Sequence, residues 1–383
     1  MRVPCIPQQL PNGKFNDVIL DSSKLGQKKY IHGTLIPLMR NTLSGWEDIT
    51  KESHIDIERV SGALTNFVFF ITKKLQNSQN PQKVVLRIYG NGADQLFDRE
   101  KELRCLEMLS IVKIGPQLLS TFSNGRFEQF LESTTLNYHE IHIPEVSRQI
   151  AYRLRSLHNI VTIFPPKKGT IPEVWVNIDK WSPLLRKISY EQQIKLKLED
   201  LDNEIRELKS MLSKLDSPIV FAHNDTQYGN ILRLDDGSNQ LVVVDFEYAG
   251  YNYRGFDLGN HFCEWMFNYH GTDPHVSHIS WYPTEEQQIN FLKAYLDDNN
   301  DNDNDNKDQE ITPRKLLLEC NAFALASHVM WGLWGIIQSL ESDIDFDYLA
   351  YGVGRLQMFR DSKDNIYDLI NNHFQTSTSL IDS

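Results

Sequence analysis

The segment His223-Asn-Asp225-Thr-Gln-Tyr-Gly-Asn230 constrains this chain more than any other, because of the acidic residues just downstream. After a turn comes an apolar run that ends in Asp245-Phe-Glu247. An aspartate, an asparagine five positions on, and a strand delivering a second aspartate make one site only if the loop and the strand end lie side by side. That set is what phosphoryl transfer needs. One carboxylate accepts or orients the proton of the attacking hydroxyl, while the asparagine and the second aspartate hold Mg²⁺ against nucleotide phosphates. A capped turn followed by an acidic strand end explains the residues singly but not their combined spacing.

With 383 residues, the chain has room for two domains. Residues 1–54 are mixed and turn-rich and read as an N-terminal extension with short helices. Residues 55–131 read β-β-β-α-β-β: a hairpin over Ile57–Ile71, a strand over Val84–Tyr89, a helix over Asp98–Ile111, then strands over Gln117–Phe122 and Arg126–Leu131. Residues 132–383 are mainly helical, with helices expected over Glu145–Leu157 and Tyr190–Leu215 and short strands over Ile219–Ala222 and Leu241–Asp245. The run 297–308 is almost pure Asp and Asn and predicts a disordered loop. The fold class is therefore α+β, a small mixed α/β lobe before a larger helical one. Kinases use that shape, and the catalytic loop of protein kinases has the same Asp-to-Asn spacing with a metal-binding Asp on a following strand.

Charge narrows the partners. Thirty-nine basic residues against 51 acidic ones give −12, which argues against nonspecific nucleic-acid or anionic-membrane binding. The apolar stretch Asn321–Gln338 is interrupted by Ser327 and His328 and reads as a buried helix rather than a membrane span. The start has no apolar core of a signal peptide, and Cys5, Cys105, Cys263 and Cys320 lie far apart, so a reduced, cytoplasmic protein is expected. Without secretion, the sequon at Asn224 carries little meaning. Ile194, Leu198, Leu201, Ile205, Leu208, Leu212 and Leu215 alternate at spacings of four and three. Packing onto the chain's own domain and a homodimer seam both fit that stripe.

Two further groups of residues bear on chemistry. Ser61, Gly62, Ala63, Leu64, Thr65 and Asn66 lie between two strands, where a loop either folds over phosphates or simply closes a hairpin. Arg87 stands in an apolar strand, where its charge needs a partner, and Glu102 on the next helix is the expected one. Past the second aspartate come Tyr248, Asn252, Asp257, Glu264 and Tyr269, and much later Trp331, Trp334, Phe346 and Tyr351. Such aromatics either pack a core or wall a cage for an alkylated ammonium, which has no N–H to donate and needs π-faces with a carboxylate nearby.

HNDTQYGNIL at 223–232 and VDFEYAGYNYRGFDLGNHFCE at 244–264 resemble the signatures of the choline/ethanolamine kinase family, from about Ile57 to Phe359. The resemblance implies a two-lobed protein-kinase-like fold and ATP- and Mg²⁺-dependent phosphorylation of choline to phosphocholine for phosphatidylcholine synthesis. Ethanolamine is the alternative acceptor, and a non-catalytic kinase-like binding protein a more distant one. By resemblance Asp225 is the base, Asn230 and Asp245 are Mg²⁺ ligands, and Gln227 neighbours the transferred phosphate. Ser61–Asn66 become the nucleotide loop, although Ser61 and Ala63 replace a basic residue and a glycine found in many members. Arg87, paired with Glu102, contacts ATP phosphates, and adenine lies against Gln129–Leu131. Glu264, Tyr269, Trp331, Trp334, Phe346 and Tyr351 form the choline pocket, and Asp257 braces the catalytic loop.

Overall fold

The computed structural model describes residues 14–60, 66–74, 82–89, 99–297, 311–342 and 344–379. The chain divides into two compact units, residues 1–133 with 234–238, and residues 134–233 with 239–383. The expected loops at 61–65 and 298–308 lie outside the described residues.

The first unit contains β1 (Lys14–Asn16), helical pieces α1 (Lys28–Tyr30) and α2 (Ile36–Thr42), β2 (Ile55–Val60), β3 (Asn66–Lys73), β4 (Lys83–Tyr89), α3 (Arg99–Val112), β5 (Leu118–Phe122) and β6 (Gly125–Gln129). The six strands form one sheet in the order β1-β5-β6-β4-β3-β2, with β1 parallel to β5 and the other pairs antiparallel. Alternation sorts β4 cleanly: Val84, Leu86 and Ile88 are buried, and Val85, Arg87 and Tyr89 point to the opposite face. The segment before residue 55 corrects the sequence expectation. It is no appendage, because Leu35, Ile36, Met39, Trp46 and Ile49 share one core with Ile71, Leu86 and Phe127. The apolar face of the sheet needs a cover, and these early residues supply it.

From β7 (Ser133–Thr135) onward the chain is mostly helical: α4 (Pro144–His158), α5 (Glu173–Trp181), α6 (Tyr190–Lys195), α7 (Leu201–Leu212), β8 (Ile219–Ala222), β9 (Ile231–Leu234), β10 (Leu241–Val243), β11 (Gly250–Tyr253), α8 (Arg254–Glu264), α9 (Glu285–Leu296), α10 (Pro313–Glu341) and α11 (Tyr348–Ser379). β8 pairs with β11 and β9 with β10, both antiparallel. By length and composition α10 could cross a membrane, but 83 % of its apolar window is buried within the protein. Close crossings hold it. A Cβ on Gly259 of α8 would lie 2.4 Å from the Cys320 carbonyl oxygen, and one on Gly352 of α11 would lie 2.7 Å from that of Gly332. Only glycine lets those backbones approach so far.

The single helix expected over Tyr190–Leu215 is two, α6 and α7, separated by a turn in which Lys197 takes φ +53°. The leucine stripe therefore never forms one continuous seam. Ile194 is exposed, while Leu201, Ile205, Leu208 and Leu212 are buried within the chain itself. Glu204 of α7 meets Arg360 of α11 through both carboxylate oxygens, which docks α7 onto its own unit. Of the two readings of the stripe, these contacts favour packing onto the chain's own unit.

Candidate active site

The second unit builds its site on two adjoining loops. Strand β8 ends at Ala222, and residues 223–230 run from there to β9; the β9–β10 hairpin then delivers Asp245. Val244 N donates to the Asn230 carbonyl at 2.9 Å, and His223 Nε2 lies 2.9 Å from the Val244 carbonyl, so the two loops are tied together at two points. Asn224 (φ +68°) and Asp245 (φ +65°) both take left-handed backbone, which Asn and Asp tolerate better than most residues.

Asp257, in the first turn of α8, holds the first loop in shape. Its Oδ2 accepts from His223 N at 2.8 Å and meets His158 Nε2 at 2.8 Å, and its Oδ1 accepts from Asn224 N at 2.7 Å. Burial pushes its pKa up, but the bond and charge of His158, with His223, hold it below the ordinary range. Asn224 is fully buried: its amide nitrogen donates to the Tyr248 carbonyl at 2.8 Å and its amide oxygen accepts from Asn252 at 2.7 Å. An asparagine so placed is no glycan acceptor in the folded protein.

This scaffold leaves Asp225 partly accessible. Asn230 Nδ2 donates to Asp225 Oδ2 and to the Asp225 carbonyl, each at 2.9 Å. Burial pushes the Asp225 pKa well above the carboxylate range, and the charges of Glu264, Asp245 and Glu247 push the same way. With its nitrogen engaged on Asp225, Asn230 has its amide oxygen left to offer a cation, and Asp245 offers a carboxylate. No group of three or more His, Cys, Asp or Glu among the described residues is set to hold a metal. Two oxygen ligands with the rest supplied by phosphates is how Mg²⁺ sits in nucleotide sites, so the donors fit that ion. Gln227 uses its side-chain oxygen to accept from Gly229 N at 2.6 Å, capping the turn.

Next to this lies an aromatic group. Ring centroids run Tyr248–Trp331 at 5.0 Å, Trp331–Trp334 at 5.4 Å, Trp334–Tyr351 at 6.1 Å and Tyr351–Phe346 at 5.8 Å, all edge-on. Glu264, at the end of α8, accepts from Tyr269 Oη at 2.6 Å and from Arg355 Nη1 at 3.2 Å. Arg355 lies over the Tyr351 ring at 5.7 Å, so the carboxylate and the aromatics form one cluster. The sequence does not single out Arg355 or Asn260. Their partners lie 28 to 91 residues away, and no local pattern marks them.

The first unit carries a separate charge cluster. Arg87 and Arg126 are directly opposite across β4 and β6, so both guanidinium groups emerge on one face. The pairing expected between Arg87 and Glu102 is corrected. Glu102 lies 2.8 Å from Arg126 and 3.0 Å from Arg99, while Arg87 Nε faces Glu128 at 3.4 Å. The cause is register, since Glu128 stands two residues beyond Arg126 on the same face and reaches both cations. Against burial, Arg87 and Arg126 hold the Glu128 pKa below its usual range. Asn66 opens β3 and is buried, whereas Ser61–Thr65 fall outside the described residues. At the end of β6, Gln129 N donates to the Gln117 carbonyl and the Leu131 carbonyl accepts from Ser133, so these backbone groups are already partly engaged.

Residues 57–360 match the family model described as choline/ethanolamine kinase. Choline kinase alpha of Mus musculus is 36 % identical over 349 residues, covering 82 % of this chain and 76 % of that protein. A choline/ethanolamine kinase of Homo sapiens is 34 % identical over 350 residues, covering 85 % of each. Among solved structures, a choline kinase from Cryptosporidium parvum superposes with a TM-score of 0.69 at 25 % identity, over 88 % of this chain and 96 % of that one. The fold is protein-kinase-like, as expected from the sequence.

Proposed function

Because the chain belongs to the choline/ethanolamine kinase family, whose activity is ATP-dependent phosphorylation of one of those two amino alcohols, we propose that its acceptor is choline. The product is then phosphocholine, a precursor of phosphatidylcholine. The observation that carries this choice is the run of rings from Tyr248 to Phe346 beside a carboxylate that is already engaged. Both oxygens of Glu264 accept hydrogen bonds, from Tyr269 and from Arg355. A trimethylammonium has no N–H and gains from π-faces and net charge. A primary ammonium brings three donors and needs free acceptors. Ethanolamine is the second reading, supported by the dual name of the human relative.

In this reading Asp225 receives the proton of the choline hydroxyl. Asn230 and Asp245 would hold Mg²⁺, which supplies charge neutralisation at the phosphates when bound. Arg87, which faces Glu128 at 3.4 Å, is the first unit's candidate for phosphate oxygens. Little covalent help is needed, because positioning and electrostatics supply most of the acceleration in phosphoryl transfer. The buried thiols Cys105, Cys263 and Cys320 fit a reducing, cytoplasmic setting.

ADP release from Mg²⁺-ATP with choline, ethanolamine or no acceptor tests the reading. Choline is expected to give the larger kcat/KM, and Trp331→Ala to raise the choline KM about tenfold or more while the ATP KM stays within about twofold. The opposite preference reassigns the acceptor to ethanolamine. No acceptor-dependent release from folded, ATP-binding protein removes both.

A further inference from the structure

A path of buried hydrogen bonds joins the carboxylate of the acceptor pocket to the loop that carries Asp225, and its direction is forced from both ends. Arg355 on α11 is fully buried. Its Nη1 donates to Glu264 Oε1 at 3.2 Å and its Nη2 to Ser327 Oγ at 2.9 Å. Ser327 Oγ donates onward to Asn260 Oδ1 at 2.7 Å, an oxygen that also accepts from Trp331 Nε1 at 2.9 Å. Asn260 Nδ2 donates to the carbonyl of Asn224, the residue before Asp225, at 3.1 Å. A guanidinium cannot accept and a carbonyl cannot donate, so the serine proton and the asparagine amide each have one orientation that satisfies the path.

Packing alone does not call for this. A buried arginine, serine and asparagine carry a desolvation penalty that apolar residues of similar volume avoid. Their gain is directional, because bonds in a dry interior fix the relative positions of the groups they join. The two ends of the path are the groups that an amino alcohol must reach at once. Glu264 faces its ammonium, and the loop after Asn224 places the base beside its hydroxyl.

We propose that the Arg355–Ser327–Asn260 path is a ruler, fixing the separation between Glu264 and Asp225 and so selecting alcohols whose ammonium and hydroxyl stand two carbons apart. The three side chains are positioning residues, acting through the groups they hold. The ruler rests on choline or ethanolamine being the acceptor.

Steady-state kinetics with choline and with its three-carbon homologue, 3-hydroxypropyl-trimethylammonium, test it in the full chain. Ser327→Ala removes the middle link and leaves the Arg355–Glu264 pair; Arg355→Lys keeps a cation but loses the two-pronged reach. In both variants the preference for choline, as a ratio of kcat/KM values, is expected to narrow about tenfold or more. The loss should fall on kcat with choline, while the ATP KM stays within about twofold. If the wild type turns over choline and the ratio is unchanged in the folded variants, the ruler is overturned and the acceptor reading stands. Equal losses with both alcohols and with ATP also overturn it, since that pattern is general loosening. If Ser327→Ala does not fold, Arg355→Lys carries the same comparison. A wild type inactive on choline, on its homologue and on ethanolamine overturns the acceptor reading, and the ruler with it.

Discussion

Asp225→Asn is expected to leave a folded protein that binds ATP normally and turns over about 10³-fold more slowly. The geometry explains why the fold should survive. The loop is shaped by Asp257, Asn224 and Asn252, none of which needs the Asp225 carboxylate. The carboxylate's own bond in the site is the 2.9 Å contact from Asn230, which an asparagine oxygen can still accept. What the variant lacks is a group able to take a proton. Acceptor-dependent ADP release, with calorimetric ATP titration as the control, measures both halves. Activity close to wild type would remove Asp225 from the role of base, and loss of ATP binding would make its role structural.

Asp257→Asn is expected to be the most damaging single change for stability, at about 3–5 kcal/mol. One carboxylate serves two backbone N–H groups and a histidine ring from two opposite oxygens. An amide offers only one acceptor oxygen, so its NH₂ must confront a backbone donor in either orientation, Asn224 N at one position or His223 N at the other. The pH dependence gives a signature. The folded-state pKa of Asp257 lies below its ordinary 3.8, so its contribution is fully present above that value and is lost as pH falls through the folded-state pKa. The gap between wild type and variant in denaturant unfolding should therefore be constant near neutrality and close in acid. A gap that persists unchanged to the lowest pH would mean that the ionised form is not what stabilises the loop.

The site is legible in the sequence where function is compressed into short segments. Asp225 and Asn230 share one loop, and Asp245 ends a neighbouring hairpin, so spacing alone brings the three into view. Glu264 and Tyr269 are likewise close in sequence and are bonded. Legibility fails where the partner is distant. Nothing near Glu102 in sequence says that Arg126, across the sheet, is its counter-ion, because strand register decides which cation it meets. β9 and β11 are each four residues long, too short to show alternation against their surroundings. The break at Lys197 has no glycine or proline to announce it, so helical periodicity runs straight through it in the sequence. The early residues look irregular because their apolar positions are sorted by the sheet they cover, which the sequence alone does not display.

That early cover has a practical consequence. The family model begins at residue 57, yet β1 and the segment through Ile49 supply an edge strand and much of the apolar core of the first unit. A gene trimmed to the matched span would encode a sheet with β5 newly unpaired at its edge and an oily face turned to water. Such a product invites edge-to-edge aggregation. Insoluble expression of it would then report on missing cover and not on the catalytic unit.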